Sequence, residues 1–142
     1  AMTYHLEEDA VRARLAELKP DIVGCTAITP AIYKAERILE VAKEVNPSVV
    51  TVLGGIHATF MYPQVLKEAP WIDAVVRGEG EQVFLNFVQA VDEGRWAQDR
   101  NCVRGIAYLH GEKVIATPAE PPIKDLDRIK PDWGVLDWDQ YI

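Results

Sequence analysis

Three short, near-continuous apolar runs constrain this chain more than any other feature. They are Ile22–Ala27, Val49–Leu53 and Ile72–Val76, each followed by a polar, Gly- or Pro-bearing loop. Continuous rather than alternating hydrophobicity suits a parallel strand covered on both faces. Between the runs the apolar spacing changes to that of helices. Leu6, Ala10, Val11, Leu15 and Leu18 share one face of a helix over Glu7–Leu18, with Thr3 placed to cap it. Thr29 and Pro30 open a second helix reaching Val45, where Asn46-Pro47 stops it. A short helix is expected over Gln64–Ala69. A long one is expected over Glu81–Glu93, with Val83, Phe84, Phe87, Val88 and Val91 inward and Gly94 ending it.

Strands that alternate with helices imply right-handed crossovers and a parallel sheet. The fold expected is therefore a three-layer α/β domain of the flavodoxin-like (Rossmann-like) kind. Such domains normally begin with a strand, whereas this pattern begins with a helix. The expectation is that a first βα unit is missing and that Ala1-Met2 marks a cut into a longer chain. The bare edge so created would invite pairing with a second copy through the sheet edge or its apolar flank.

Beyond residue 94 the character changes. Ile106–Leu109 and Val114–Ala116, joined through Gly111, read as a β-hairpin. Pro118, Pro121, Pro122 and Pro131 then punctuate an acidic stretch that reads as an extended linker. Trp133, Trp138 and Tyr141 are too apolar for a free tail and are expected to dock on a surface. The division expected is 1–94 for the α/β domain and 95–142 for hairpin and linker.

Composition excludes several classes. The net charge is -7, and no Lys/Arg cluster forms the basic face a nucleic-acid partner requires. No stretch approaches the ~20 apolar residues that span a bilayer. Cys25 and Cys102 stand alone, without metal-ligand spacing, as expected of reduced thiols in the cytoplasm. No metal site and no catalytic residue is expected in the chain.

In an open parallel sheet, ligands bind at the loops leaving the carboxyl ends of the strands. Those loops are Thr26–Pro30, Gly54–Thr59 and Arg77–Glu81. Thr26 offers a hydroxyl, although a β-branched strand residue would look the same. The Gly54-Gly55 pair lets a bulky group approach the backbone, or simply makes a tight turn. His57 is a candidate contact residue. Glu79 and Glu81 could do acid–base work, but they also suit the start of a helix, and that reading is preferred.

Together DIVGCTAITP, VTVLGGIHATFMYP and VVRGEGE resemble the N-terminal domain of cobalamin-dependent radical SAM enzymes, in particular the anaerobic magnesium-protoporphyrin IX monomethyl ester oxidative cyclases. The terminal PDWGVLDWDQYI is similar to the segment that joins that domain to the radical SAM barrel. The resemblance implies a partial cobalamin-binding domain. Thr26 and Ile28 would stand at its Ser/Thr-x-Leu-like position, Gly54 and Gly55 at its glycine pair, and His57, Gly78 and Glu79 nearby. The Asp-x-His-x-x-Gly motif that supplies an axial cobalt ligand is absent, as is the Cys-x3-Cys-x2-Cys cluster motif. The implied parent binds S-adenosylmethionine and a four-iron cluster elsewhere, takes a porphyrin substrate and closes the fifth ring in bacteriochlorophyll synthesis. Two alternatives stay open: a cobalamin-dependent radical SAM methyltransferase, and a flavodoxin-like regulatory module.

Overall fold

The alternation of apolar runs and helices becomes one mixed sheet in a computed structural model. It describes residues 7–125 together with Ile129 and Gly134. The strands are β1 (Ile22–Thr26), β2 (Val50–Gly54), β3 (Ala74–Val76), β4 (Ile106–His110) and β5 (Lys113–Ala116), in the spatial order β1-β2-β3-β4-β5. The pairs β1–β2 and β2–β3 are parallel, as the apolar runs predict. The hairpin does not stand apart: β4 runs antiparallel to β3 and continues the same sheet.

The helices are α1 (Glu8–Leu18), α2 (Ile32–Val45), α3 (Ile56–Glu68), α4 (Gly80–Asp92) and the single turn α5 (Arg95–Gln98). Helices α2 and α3 cover one face of the sheet, with Leu39, Ala58 and Leu66 packed on Leu53 and Val75. Helices α4 and α5 cover the other, with Val83, Phe87 and Trp96 on Val52, Val76 and Ile106. Trp96 meets both Phe87 and Tyr108 edge-on, with centroids 5.0 and 5.9 Å apart, while Arg100 lies over its ring. Helix α1 buries no residue and is held to α2 by ion pairs, Arg37 bridging Glu8, Glu40 and Glu44.

Several boundaries differ from the sequence reading for physical reasons. β3 begins at Ala74, not Ile72, because the Asp73 carboxylate takes the Thr51 N–H at 2.9 Å and the Lys43 ammonium at 2.6 Å. Trp71 ends outside the ladder too, its carbonyl accepting the Thr51 hydroxyl. Helix α3 starts at Ile56, eight residues before the expected Gln64. Its Pro63 does not stop it; the helix kinks at Met61 (φ -106°, ψ 15°), where the ladder must give way to a proline ring. Thr29 does not cap α2. It opens a 3-10 turn over Thr29–Ala31, and its hydroxyl pairs with His57 instead. Phe84 faces outward and is 43% exposed. Thr3, Trp133, Trp138 and Tyr141, for which a cap and a docked tail were expected, lie outside the described residues.

Two predictions follow from the packing. Gly105 has φ +76°, and a Cβ there would lie 2.6 Å from Cγ2 of the buried, stiff Val83. Gly105→Ala should cost about 1–3 kcal/mol in overpacking and a further ~1 kcal/mol for the left-handed backbone, read as a lower denaturant midpoint. Glu36 is buried at the α2–α3 interface, and burial, with Glu68 adding, pushes its carboxyl pKa up against the opposing pull of His57. The folded state thus holds that proton more tightly than the unfolded chain. The favourable contribution is complete below the unfolded value and is lost as pH rises through the folded one. Glu36→Gln should therefore melt higher than wild type at pH 7, with the gap closing near about pH 4.

Candidate functional site

The register of β1 on β2 sets the geometry of the carboxyl edge. Thr26 lies opposite Gly54, and the Ala27 N–H donates to the Gly54 carbonyl at 3.1 Å. The next residue, Gly55, has φ +98°, and a Cβ on it would fall 2.5 Å from the Ala27 carbonyl oxygen and 2.9 Å from Thr26 Oγ1. No L side chain fits there, so the chain turns from β2 into α3 only through glycine. Gly54 is different. A Cβ on it would meet nothing closer than Val76 at 3.9 Å, over open space. The glycine pair thus divides its work: Gly55 makes the turn, and Gly54 leaves the sheet bare.

Helix α4 covers β3 on this face and leaves β1 uncovered, so Gly24 and Thr26 are exposed. The result is a cleft of about 530 Å³, a size at which small molecules are bound. Its wall and floor comprise Gly24, Thr26, Val52, Gly54, Val76 and Phe84, with Gly78, Gly80 and Glu81 at the third loop. Five of its residues are glycines, so backbone and small apolar groups form most of the surface. A flat aromatic group could lie against such a floor, with Thr26 and Glu81 supplying polar partners at the rim. Cys25 also borders the cleft, but burial pushes its thiol pKa up, away from thiolate chemistry. Among the described residues no cluster of three His, Cys, Asp or Glu side chains could hold a metal ion.

The residues singled out in the sequence separate into two groups. Thr26, Gly54, Gly55 and Gly78 come together around the cleft. Ile28, His57 and Glu79 do not line it. Ile28 is 58% exposed ahead of the 3-10 turn. His57 sits in the first turn of α3 with Nδ1 3.0 Å from Thr29 Oγ1. Glu79 turns toward the outgoing chain, its carboxylate accepting the Ile123 N–H at 3.0 Å. Sequence reasoning placed Gly80 in the third loop without singling it out, and missed Gly24 and Phe84. A glycine inside a strand often marks close approach of another group, so Gly24 carried a readable signal. Phe84 carried none, because helical spacing tells which side is apolar but not what covers it.

This geometry has close parallels. Residues 2–88 match the B12-binding domain family. The anaerobic magnesium-protoporphyrin IX monomethyl ester cyclase of Rubrivivax gelatinosus is 75% identical across the whole chain, and that of Cereibacter sphaeroides is 53% identical. The chain spans 26% and 23% of their lengths, about a quarter. Among solved structures, the radical S-adenosylmethionine methyltransferase TsrM of Kitasatospora setae, with cobalamin and a [4Fe-4S] cluster bound, superposes with a TM-score of 0.69. The match covers 87% of this chain and 23% of TsrM at 19% identity, a likeness of fold. No helix among the described residues is long and apolar enough to cross a membrane. A helix-flanked mixed sheet with three parallel strands, a bare cleft at their carboxyl edge and a family match over those strands lead to one assignment: the chain belongs to the B12-binding domain family.

Proposed function

We propose that this chain is the cobalamin-holding module of an oxidative cyclase. The parent would close the fifth ring of magnesium-protoporphyrin IX monomethyl ester in bacteriochlorophyll synthesis, in the cytoplasm. The observation that carries the reading is the glycine-floored cleft between β1 and α4. Its bare backbone at Gly24 and Gly54 suits the flat, bulky nucleotide tail of the cofactor, and Thr26 offers a hydroxyl beside it. When bound, cobalamin supplies a cobalt centre able to carry organometallic and one-electron chemistry. The chain's own part is to hold and orient that group and to exclude water from its tail. Cys25 and Cys102, its two cysteines, make no cluster motif. The iron–sulfur cluster, S-adenosylmethionine and the porphyrin would therefore be bound outside these 142 residues. The 75% identity to the Rubrivivax cyclase supports the choice of parent reaction.

The cleft reading is tested by titrating hydroxocobalamin into the complete polypeptide and following the visible spectrum. Gly54→Leu fills open space without a backbone clash and should weaken binding roughly ten- to a hundredfold, equivalent to ~1–3 kcal/mol, with the melting temperature little changed. Thr26→Ala removes at most one hydrogen bond and should cost about two- to tenfold. Gly55→Ala is the contrasting control: it clashes with Ala27 and should lower stability first. Equal affinity of wild type and Gly54→Leu would contradict the reading.

A homodimer belongs to the same proposal. Among the described residues β1 pairs on one side only, and Ile28, two residues beyond its end, is 58% exposed. An unpaired strand beside apolar surface invites pairing with another copy. Light scattering of this 142-residue chain should show self-association rising with concentration, and a monomer at every concentration would contradict it.

A further inference from the structure

The third loop has two sides with different neighbours. Gly78 and Gly80 face the cleft, while Arg77 and Glu79 face the chain that leaves β5. That outgoing segment, residues 117–123, is hydrogen-bonded over Thr117–Ala119 and again at Ile123. The Arg77 guanidinium donates to the Thr117 carbonyl, and the Gly105 N–H donates to Pro118 at 2.8 Å. Arg104 donates to the Ala119 carbonyl at 2.8 Å, and Ile123 donates its N–H to Glu79. The Arg77 N–H in turn donates to the Gly105 carbonyl at 2.8 Å, and the Gly78 N–H reaches Thr59 Oγ1 at 3.2 Å. Loop, β4 and outgoing segment therefore form one hydrogen-bonded unit.

The joint is not fully packed. A cavity of about 330 Å³ lies between the loop and the segment, bordered by Thr59, Gly78, Gln82 and Pro122. Among the described residues the buried Arg77 Nε has no hydrogen-bond partner, although the guanidinium lies 5.1 Å from the Tyr62 ring centroid. A strap tied at both ends over a void can shift as a piece with the loop that holds it.

On the reading that the cleft holds cobalamin, we infer that Arg77 and Glu79 are positioning residues that couple cleft occupancy to the placement of the outgoing segment. A ligand that braces Gly78 and Gly80 fixes the loop, and the loop fixes residues 117–123 through these two side chains. Coupling of this kind is reciprocal, so loosening the segment weakens the ligand. Glu79 thereby contributes to affinity without touching the cofactor. The outgoing segment takes up a defined position when the cleft is filled.

The test uses the complete polypeptide, with amide hydrogen exchange over residues 105–123 and hydroxocobalamin titration read together. In wild type, hydroxocobalamin should slow exchange of the Ile123 amide. Glu79→Ala should abolish that protection and weaken hydroxocobalamin about two- to tenfold, the loss of one hydrogen bond. Glu79→Gln keeps a carbonyl acceptor for Ile123 and should restore both. Equal affinity in wild type and Glu79→Ala, or Ile123 exchange unaffected by hydroxocobalamin, would overturn the coupling while leaving the cleft assignment standing. Equal losses in Glu79→Gln and Glu79→Ala would overturn it too, since that pattern marks a direct charge contact. A wild type that binds no hydroxocobalamin, read as a visible spectrum unchanged by the protein, would overturn the cleft reading and the coupling built on it.

Discussion

The arrangement depends on the turn by which β2 becomes α3. With the Ala27 carbonyl 2.5 Å from where a Gly55 Cβ would stand, the two backbones approach as closely as they do only because that atom is missing. The approach closes the β1–β2 ladder with the Ala27–Gly54 hydrogen bond and starts α3 at once, without a connecting loop. An α3 that begins this early can send Thr59 to the Gly78 N–H, tying the second loop to the third. Cleft, third loop and outgoing segment all inherit their positions from this one contact.

A second constraint is the unequal cover of the sheet. One face carries α2 and α3 and is packed along β1, β2 and β3, with Leu39, Leu53 and Leu66 fully buried. The other carries α4 over β3 but leaves the β1 side open. An apolar surface left in water gives up roughly 25 cal/mol for each Å² that could have been buried. A fold seldom leaves such surface beside a well-packed core unless another body covers it. The glycines at 24 and 54 would let such a body come close to the backbone, and Phe84 forms the opposite wall of the cleft. On the function proposed here that body is a cobalamin tail.

Much of this was legible in residues. The apolar runs gave the parallel strands: β2 and β3 are packed on both faces, while β1 is covered on one face and leaves Gly24 and Thr26 exposed on the other. The loops after them marked the edge where Thr26, Gly54, Gly55 and Gly78 meet. The early part of α3 was not legible, because Ile56 and Phe60 point outward and Pro63 looks like a stop. Nor was the true start of β3, where the Asp73 side chain replaces a backbone ladder bond. His57 and Glu79 carry the right chemistry in the right loops, yet they bond to Thr29 and Ile123. Sequence places a residue in a loop, but the direction of its side chain is decided by partners far along the chain. The outgoing segment showed three prolines and little periodic pattern in its sequence, and its fastening rests on backbone carbonyls that no side-chain pattern reveals.

The central claim is that the bare face between β1 and α4 is where the cofactor tail lies. A crystal structure of the complete polypeptide grown with hydroxocobalamin tests it most directly. The account predicts nucleotide-tail density over Gly24 and Gly54, bounded by Thr26 on one side and Phe84 on the other. Tail density against α2 and α3, or at the β5 edge, with this cleft filled by solvent, would contradict it.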